Sequence, residues 1–168
     1  MVRSIKPAAL ALIVLFPSMG AWAGENPLVG TWAMKSFVFE PLGGGERYYP
    51  LGQKAQGYLG YSSDGRMFLI QATADRAKPQ GSLPTDEERV KLHQSMVAYA
   101  GTYTGENGKL VHHVDISWNE SWTGSDQVRF YTVDGNTLTI KTPPIKNPLD
   151  GREVIAVLVW ERVKPSTQ

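Results

Sequence analysis

Four Asx-Gly pairs punctuate the chain: Asp64-Gly65, Asn107-Gly108, Asp134-Gly135 and Asp150-Gly151. The first three stand between runs of β-branched and aromatic residues. A tight hairpin needs positive φ at its centre, which Asx and Gly adopt at little cost, so these pairs predict antiparallel strands joined next to next. A sheet built that way leaves an unpaired edge on each side unless it closes on itself. Closure at about eight strands leaves an interior just wide enough for one small ligand.

The strands can be placed approximately from the pattern. A first strand spans about Val29 to Glu40 and ends at Pro41 and the triplet Gly43-Gly44-Gly45. Gly57 to Tyr61 and Met67 to Thr73 form a hairpin around Asp64-Gly65, and Asp75 to Pro84 reads as a loop. Thr85 followed three residues later by Glu88 makes a capping box, with Asp86 and Glu87 complementing the positive end of the helix dipole. The helix this predicts runs to about Ala98, and its stripe of Val90, Leu92, Met96, Val97 and Tyr99 is expected to dock over the barrel. Five further strands follow: Gly101 to Gly105, Lys109 to Trp118, Ser125 to Val133, Thr137 to Lys141 and Glu153 to Val163.

Residues 1–23 read as a secretory signal rather than as part of this fold. Arg3 and Lys6 precede an apolar run from Ala8 to Phe16, and Ala21-Trp22-Ala23 supplies small residues for cleavage. The run is shorter than the roughly 20 residues that span a bilayer. Residues 24–168 then make one domain, carrying 15 of the 17 Lys and Arg against all 16 Asp and Glu, a net charge of −1. That balance, with no basic cluster, argues against a nucleic-acid partner and against an anionic membrane surface. The chain has no Cys, so an exported domain must be held by its core alone. A periplasmic or secreted location is the expectation. Asn119-Glu120-Ser121 also fits an N-glycosylation sequon, a triplet that arises often by chance.

Several segments carry a family resemblance. Gly30-Thr31-Trp32 opens the first strand as the glycine-x-tryptophan signature does in lipocalins, and Trp160-Glu161-Arg162 closes the last strand where lipocalins place an arginine over that tryptophan. Gly57 to Met67, Ala98 to Tyr103, His112-His113-Val114 and Gln127 to Phe130 extend the likeness, so that the chain resembles the bacterial and fungal lipocalin-like domain family over nearly all of 28–163. The resemblance implies an all-β, eight-stranded, antiparallel up-and-down barrel with one short helix between the third and fourth strands. It implies no catalytic residues. The Trp32 and Arg162 pair has a physical case of its own, because a guanidinium over an indole contributes about 0.5–2 kcal/mol and would tie the first strand to the last.

Recognised catalytic patterns are missing: there is no G-x-S-x-G, no P-loop, no H-E-x-x-H and no thiol. His112 and His113 are adjacent in a strand and so point to opposite faces, which argues against a shared metal, and no cofactor is expected. Two neighbouring strands carry the polar candidates. One has Val111, His113, Asp115 and Ser117 on a face opposite Leu110, His112, Val114, Ile116 and Trp118. The other has Gln127, Arg129, Tyr131 and Val133 opposite Val128, Phe130 and Thr132. The polar faces are expected to coincide, either outside the barrel as alternation in a half-exposed sheet predicts, or inside, where Arg129 and Tyr131 would hold a carboxylate. An interior arginine needs Asp115 or an anionic ligand to compensate it. Tyr58, Tyr103 and Trp118 add rings that a ligand could touch, Trp118 and Trp122 flanking a loop at the barrel mouth.

Three function classes follow. The first is a carrier of a small hydrophobic ligand, in its sharper form anionic and fatty-acid-like, with Arg129, Tyr131, Gln127, His113, Trp118, Tyr103 and Tyr58 as binding residues. The second is a cofactor-independent isomerase or cyclase on a polyketide-like substrate, with His113 and Asp115 as acid and base. The third is an interaction or envelope-stress module whose barrel is filled by its own side chains.

Overall fold

The computed structural model describes residues 26–147 and 151–164. Eight antiparallel strands close into a barrel: β1 (Gly30–Pro41), β2 (Gln56–Tyr61), β3 (Arg66–Ala72), β4 (Met96–Glu106), β5 (Lys109–Ser117), β6 (Asp126–Asp134), β7 (Thr137–Lys141) and β9 (Glu153–Arg162). Each pairs with the next, and β1 pairs with β9 from Trp32 and Arg162 to Pro41 and Val154. A two-residue strand the pattern did not suggest, β8 (Ile145–Lys146), adds itself to one end of β9. The helix α1 (Asp86–Gln94) lies between β3 and β4.

The turns follow the Asx-Gly logic. Asn107 and Gly108 both have positive φ, 51° and 80°, in the two-residue link between the paired Glu106 and Lys109. Asp134 pairs with Thr137 around a tight turn in which Gly135 has φ 54°. Gly65 has φ 85°, beside an Asp64 carboxylate that accepts from Ser62 Oγ and the Arg66 amide. Asp150 and the segment 1–23 lie outside the described residues.

The helix is shorter than its pattern suggests. Its capping box is present, Glu88 N donating to Thr85 Oγ1 at 3.2 Å and Thr85 N to Glu88 Oε2 at 2.8 Å. Yet it ends at Gln94, and Met96, Val97 and Tyr99, expected on its apolar stripe, belong to β4. Pairing wins there: from Ala72 opposite Met96 to Arg66 opposite Thr102, β3 and β4 exchange a continuous ladder that buries Tyr99. What remains of the helix buries none of its residues, and Val90 is 54% exposed. It is held at its C-terminal end, where His93 lies against the Trp118 ring and accepts from Trp118 Nε1 through its carbonyl at 3.2 Å.

Inside, the side chains alternate as a pleated wall requires. Trp32, Leu28, Leu59, Leu110, Leu138 and Trp160 are fully buried in one core cluster. Trp32 Nε1 donates to the Leu28 carbonyl at 2.8 Å, which fastens the segment leading into β1 under the barrel. Two β-bulges shift the alternation: one between Met34 and Ser36 restores Phe37 and Phe39 to the interior, and one at Asp115, opposite Ala100 and Gly101, turns Ile116 away from the face of Leu110 and Val114, leaving it 66% exposed.

Candidate functional site

The site is fixed by the register between β5 and β6. Leu110 stands opposite Arg129 and His112 opposite Gln127, so the apolar face of β5 and the polar face of β6 share the barrel interior. The two polar faces therefore do not coincide, contrary to the sequence reading. β6 is turned inside out: Gln127, Arg129, Tyr131 and Val133 face in, while Phe130 is 48% exposed.

That register sorts the expected residues. Arg129, Tyr131, Gln127 and Tyr103 lie on interior faces. His113 lies outside, its Nδ1 2.7 Å from Asp126 Oδ1 and its Nε2 3.0 Å from Thr104 Oγ1. Asp115 is also outside, bound to Arg66 at 2.9 Å, so His113 and Asp115 cannot act as an acid and base on a molecule within the barrel. Tyr58 is 53% exposed on the outer wall, because Leu59 takes the interior position opposite Trp32. Trp118 follows the end of β5 and covers the helix; its neighbour Trp122, edge-on to both Trp118 and Tyr99, is the ring that packs on the core.

Three residues that the sequence reading did not select complete the site. His112 is 1% exposed and sits between two phenols: its Nε2 is 2.8 Å from Tyr61 Oη and its Nδ1 2.8 Å from Tyr99 Oη. Burial, with Arg129 and His113 nearby, holds the imidazole well below its usual range, so it is neutral. Burial raises both Tyr61 and Tyr99, which keeps them protonated. A neutral imidazole has one N–H and one lone-pair nitrogen, so one phenol donates to it and the other accepts from it. Whichever tautomer forms, one phenolic proton is left for another acceptor. The signal in the sequence was a lone histidine on the apolar face of β5, between Leu110 and Val114.

Arg129 stands beside this trio, its guanidinium acting on Tyr99, Tyr61 and His112. It donates to the Val128 carbonyl at 2.8 Å and Gln127 Oε1 at 3.4 Å, and Gln127 is braced in turn by donating to Ser125 Oγ at 2.9 Å. Among the described residues no carboxylate pairs with Arg129. The interior wall of β4, β5 and β6 thus offers a cation and hydroxyl protons within an aromatic lining, and no anion. Chemically it suits an acceptor-rich group such as a carboxylate.

At the seam, Arg162 stacks on Trp32 with its guanidinium carbon 4.1 Å from the indole centroid. The model of the lipocalin-like domain family matches residues 29–163, which takes in the whole closed barrel and this seam. The chain belongs to that family. Within this lipocalin-like barrel the stacked pair joins first strand to last, and Arg129 and His112 occupy the interior it encloses. No curated protein and no solved structure matches the chain.

Proposed function

We propose that this lipocalin-like protein is exported and carries a small hydrophobic anion in its barrel, with Arg129 as the anchor for the carboxylate. The observation that supports it is the placement of Arg129 on an interior face with no carboxylate partner among the described residues. A cation there is costly unless something compensates it, and Asp115, the one acidic candidate on the neighbouring strand, is engaged by Arg66 outside. The spare phenolic proton of the Tyr61, His112 and Tyr99 chain would add a second donor to the same head group, and the apolar lining would take the tail. Export rests on the charged, apolar and small-residue pattern of residues 1–23.

The test is a titration of oleate and its methyl ester into wild type and Arg129→Ala, read by tryptophan fluorescence. Trp122, edge-on to Tyr99, is a reporter in contact with the site. A hydrogen bond to a charged group contributes about 1.5–3 kcal/mol, so the variant should lose roughly tenfold or more in oleate affinity and little for the ester. Equal affinities in all four titrations would refute the assignment, and no binding at all would favour a barrel filled by its own side chains.

A further inference from the structure

Two rows of the outer wall are apolar. Gly60, Phe68, Ala100 and Ile116 follow one another across the ladders of β2 to β5, and Tyr58, Ile70 and Ala98 form the next row. Tyr58 is 53% exposed, Phe68 and Ile70 47% each and Ile116 66%. The bulge at Asp115 is what brings Ile116 to this side. Gly60 flattens the face, because the Phe68 ring lies in the space that a Cβ there would fill and so rests over β2 instead of standing off the sheet. Beside Tyr58 and Ile70 the face dips into an open depression of about 410 Å³, lined in part by Ala33 and Ala72.

At about half of roughly 200 Å² each, Tyr58, Phe68, Ile70 and Ile116 together expose on the order of 400 Å² of apolar surface. A patch of that size on a single chain marks a contact surface. A standard interface takes about 800 Å² from each partner, a little over half of it apolar, so this face supplies nearly the whole apolar share of one side. Its charge pattern selects the partner. In a twofold contact the patch meets a copy of itself, and an unpaired charge on it would face its like. Among the described residues the two rows hold no charge, and their border holds Arg66 and Asp115 as an ion pair at 2.9 Å. Phe130, 48% exposed elsewhere on the outer wall, lacks this setting, since Lys109 and Lys141 stand on either side of it.

We propose that this face is a twofold interface through which two copies of the chain associate, sheet against sheet, each depression receiving an apolar side chain of the other copy. The contact leaves the barrel interior untouched, so it stands apart from the carrier reading. The experiment is sedimentation velocity on protein recovered from an exporting host, for wild type, Ile70→Lys, Tyr58→Glu and Phe130→Lys. Concentrations run from about 1 to 100 µM, to reach the weak end of the affinities that an interface of this area gives. Wild type should sediment as a dimer at the upper end, and Phe130→Lys should match it. Ile70→Lys and Tyr58→Glu each set a charge against its own copy in a desolvated contact and should weaken the dimer at least about a hundredfold. Both should keep the unfolding midpoint of the wild-type monomer, since the altered side chains are exposed; Ile70→Ser and Tyr58→Ser carry the same comparison should either charge prevent folding. Phe68 is left in place because its ring packs over Gly60. A wild type that is monomeric throughout, or a dimer that survives both face substitutions or is lost equally in Phe130→Lys, overturns the proposal. A monomer that floats with phosphatidylcholine vesicles, and loses them in Ile70→Lys, overturns it in favour of a lipid surface.

Discussion

Arg162 stacks on Trp32, its guanidinium carbon 4.1 Å from the indole centroid, while its terminal nitrogens donate to the carbonyls of Val29 at 2.7 Å and Pro27 at 2.6 Å. The stack joins the last strand to the first, and the hydrogen bonds hold the segment that Trp32 itself grips through Leu28. Arg162→Ala should lower unfolding stability by about 1–3 kcal/mol, combining a lost cation–π contact with two unpaired carbonyls. Arg162→Lys should recover only part, because an ammonium cannot stack and fork at once. Chemical denaturation of the three proteins checks this, and an unchanged midpoint for Arg162→Ala would show that the seam is held by the ladder alone.

His112 makes stability depend on pH in a defined direction. Burial depresses it well below its usual range in the folded state, so the unfolded chain binds more protons than the folded one once pH falls below the ordinary histidine value. Stability should therefore be complete above about pH 6.5 and fall as the solution is acidified from there, with a slope of at most about 1.4 kcal/mol per pH unit from this one group. Lowered carboxylates such as Glu88 and Glu161 contribute their losses at lower pH. His112→Gln, which cannot titrate, should flatten the upper part of the curve. Identical slopes between pH 6.5 and 5 in the two proteins would show that His112 is not the group responsible.

Two glycines should fail for different reasons. A Cβ on Gly101 would strike the His113 carbonyl at the β4 and β5 bulge, where both sides of the contact are backbone. Gly101→Ala should cost at least about 3 kcal/mol or prevent folding. Gly65 has φ 85° with open space around it, so Gly65→Ala should cost only the left-handed backbone strain of about 1–2 kcal/mol. Thermal unfolding of both variants separates steric from conformational cost; a Gly101→Ala protein as stable as Gly65→Ala would contradict the close approach.

Processing gives a prediction that does not depend on the barrel. Mature protein recovered from an exporting host should begin at Gly24, after Ala21-Trp22-Ala23. N-terminal sequencing that returns Met1 from exported material would remove the signal assignment.

The sequence by itself determined the local events. Asn107-Gly108 can only turn tightly, Thr85 and Glu88 cap whatever helix follows, and alternation sets Gln127, Arg129 and Tyr131 on one side of their strand wherever it lies. Those are decided within a few residues, by steric freedom and hydrogen bonding along the chain. What alternation cannot say is which side is inside, since a period of two is unchanged when a strand is turned over. The tertiary structure decided that by register. Leu110 opposite Arg129 carried the polar face of β6 inward against the apolar face of β5, which left His113 and Asp115 on the outer face of β5. It also decided where the helix stops, because residues from Met96 onward gain a full ladder with β3 that no local signal records. His112, Tyr61 and Tyr99 come from three strands and meet only once the barrel has closed, so neither their hydrogen bonds nor the neutrality of the imidazole was present in any stretch of the sequence.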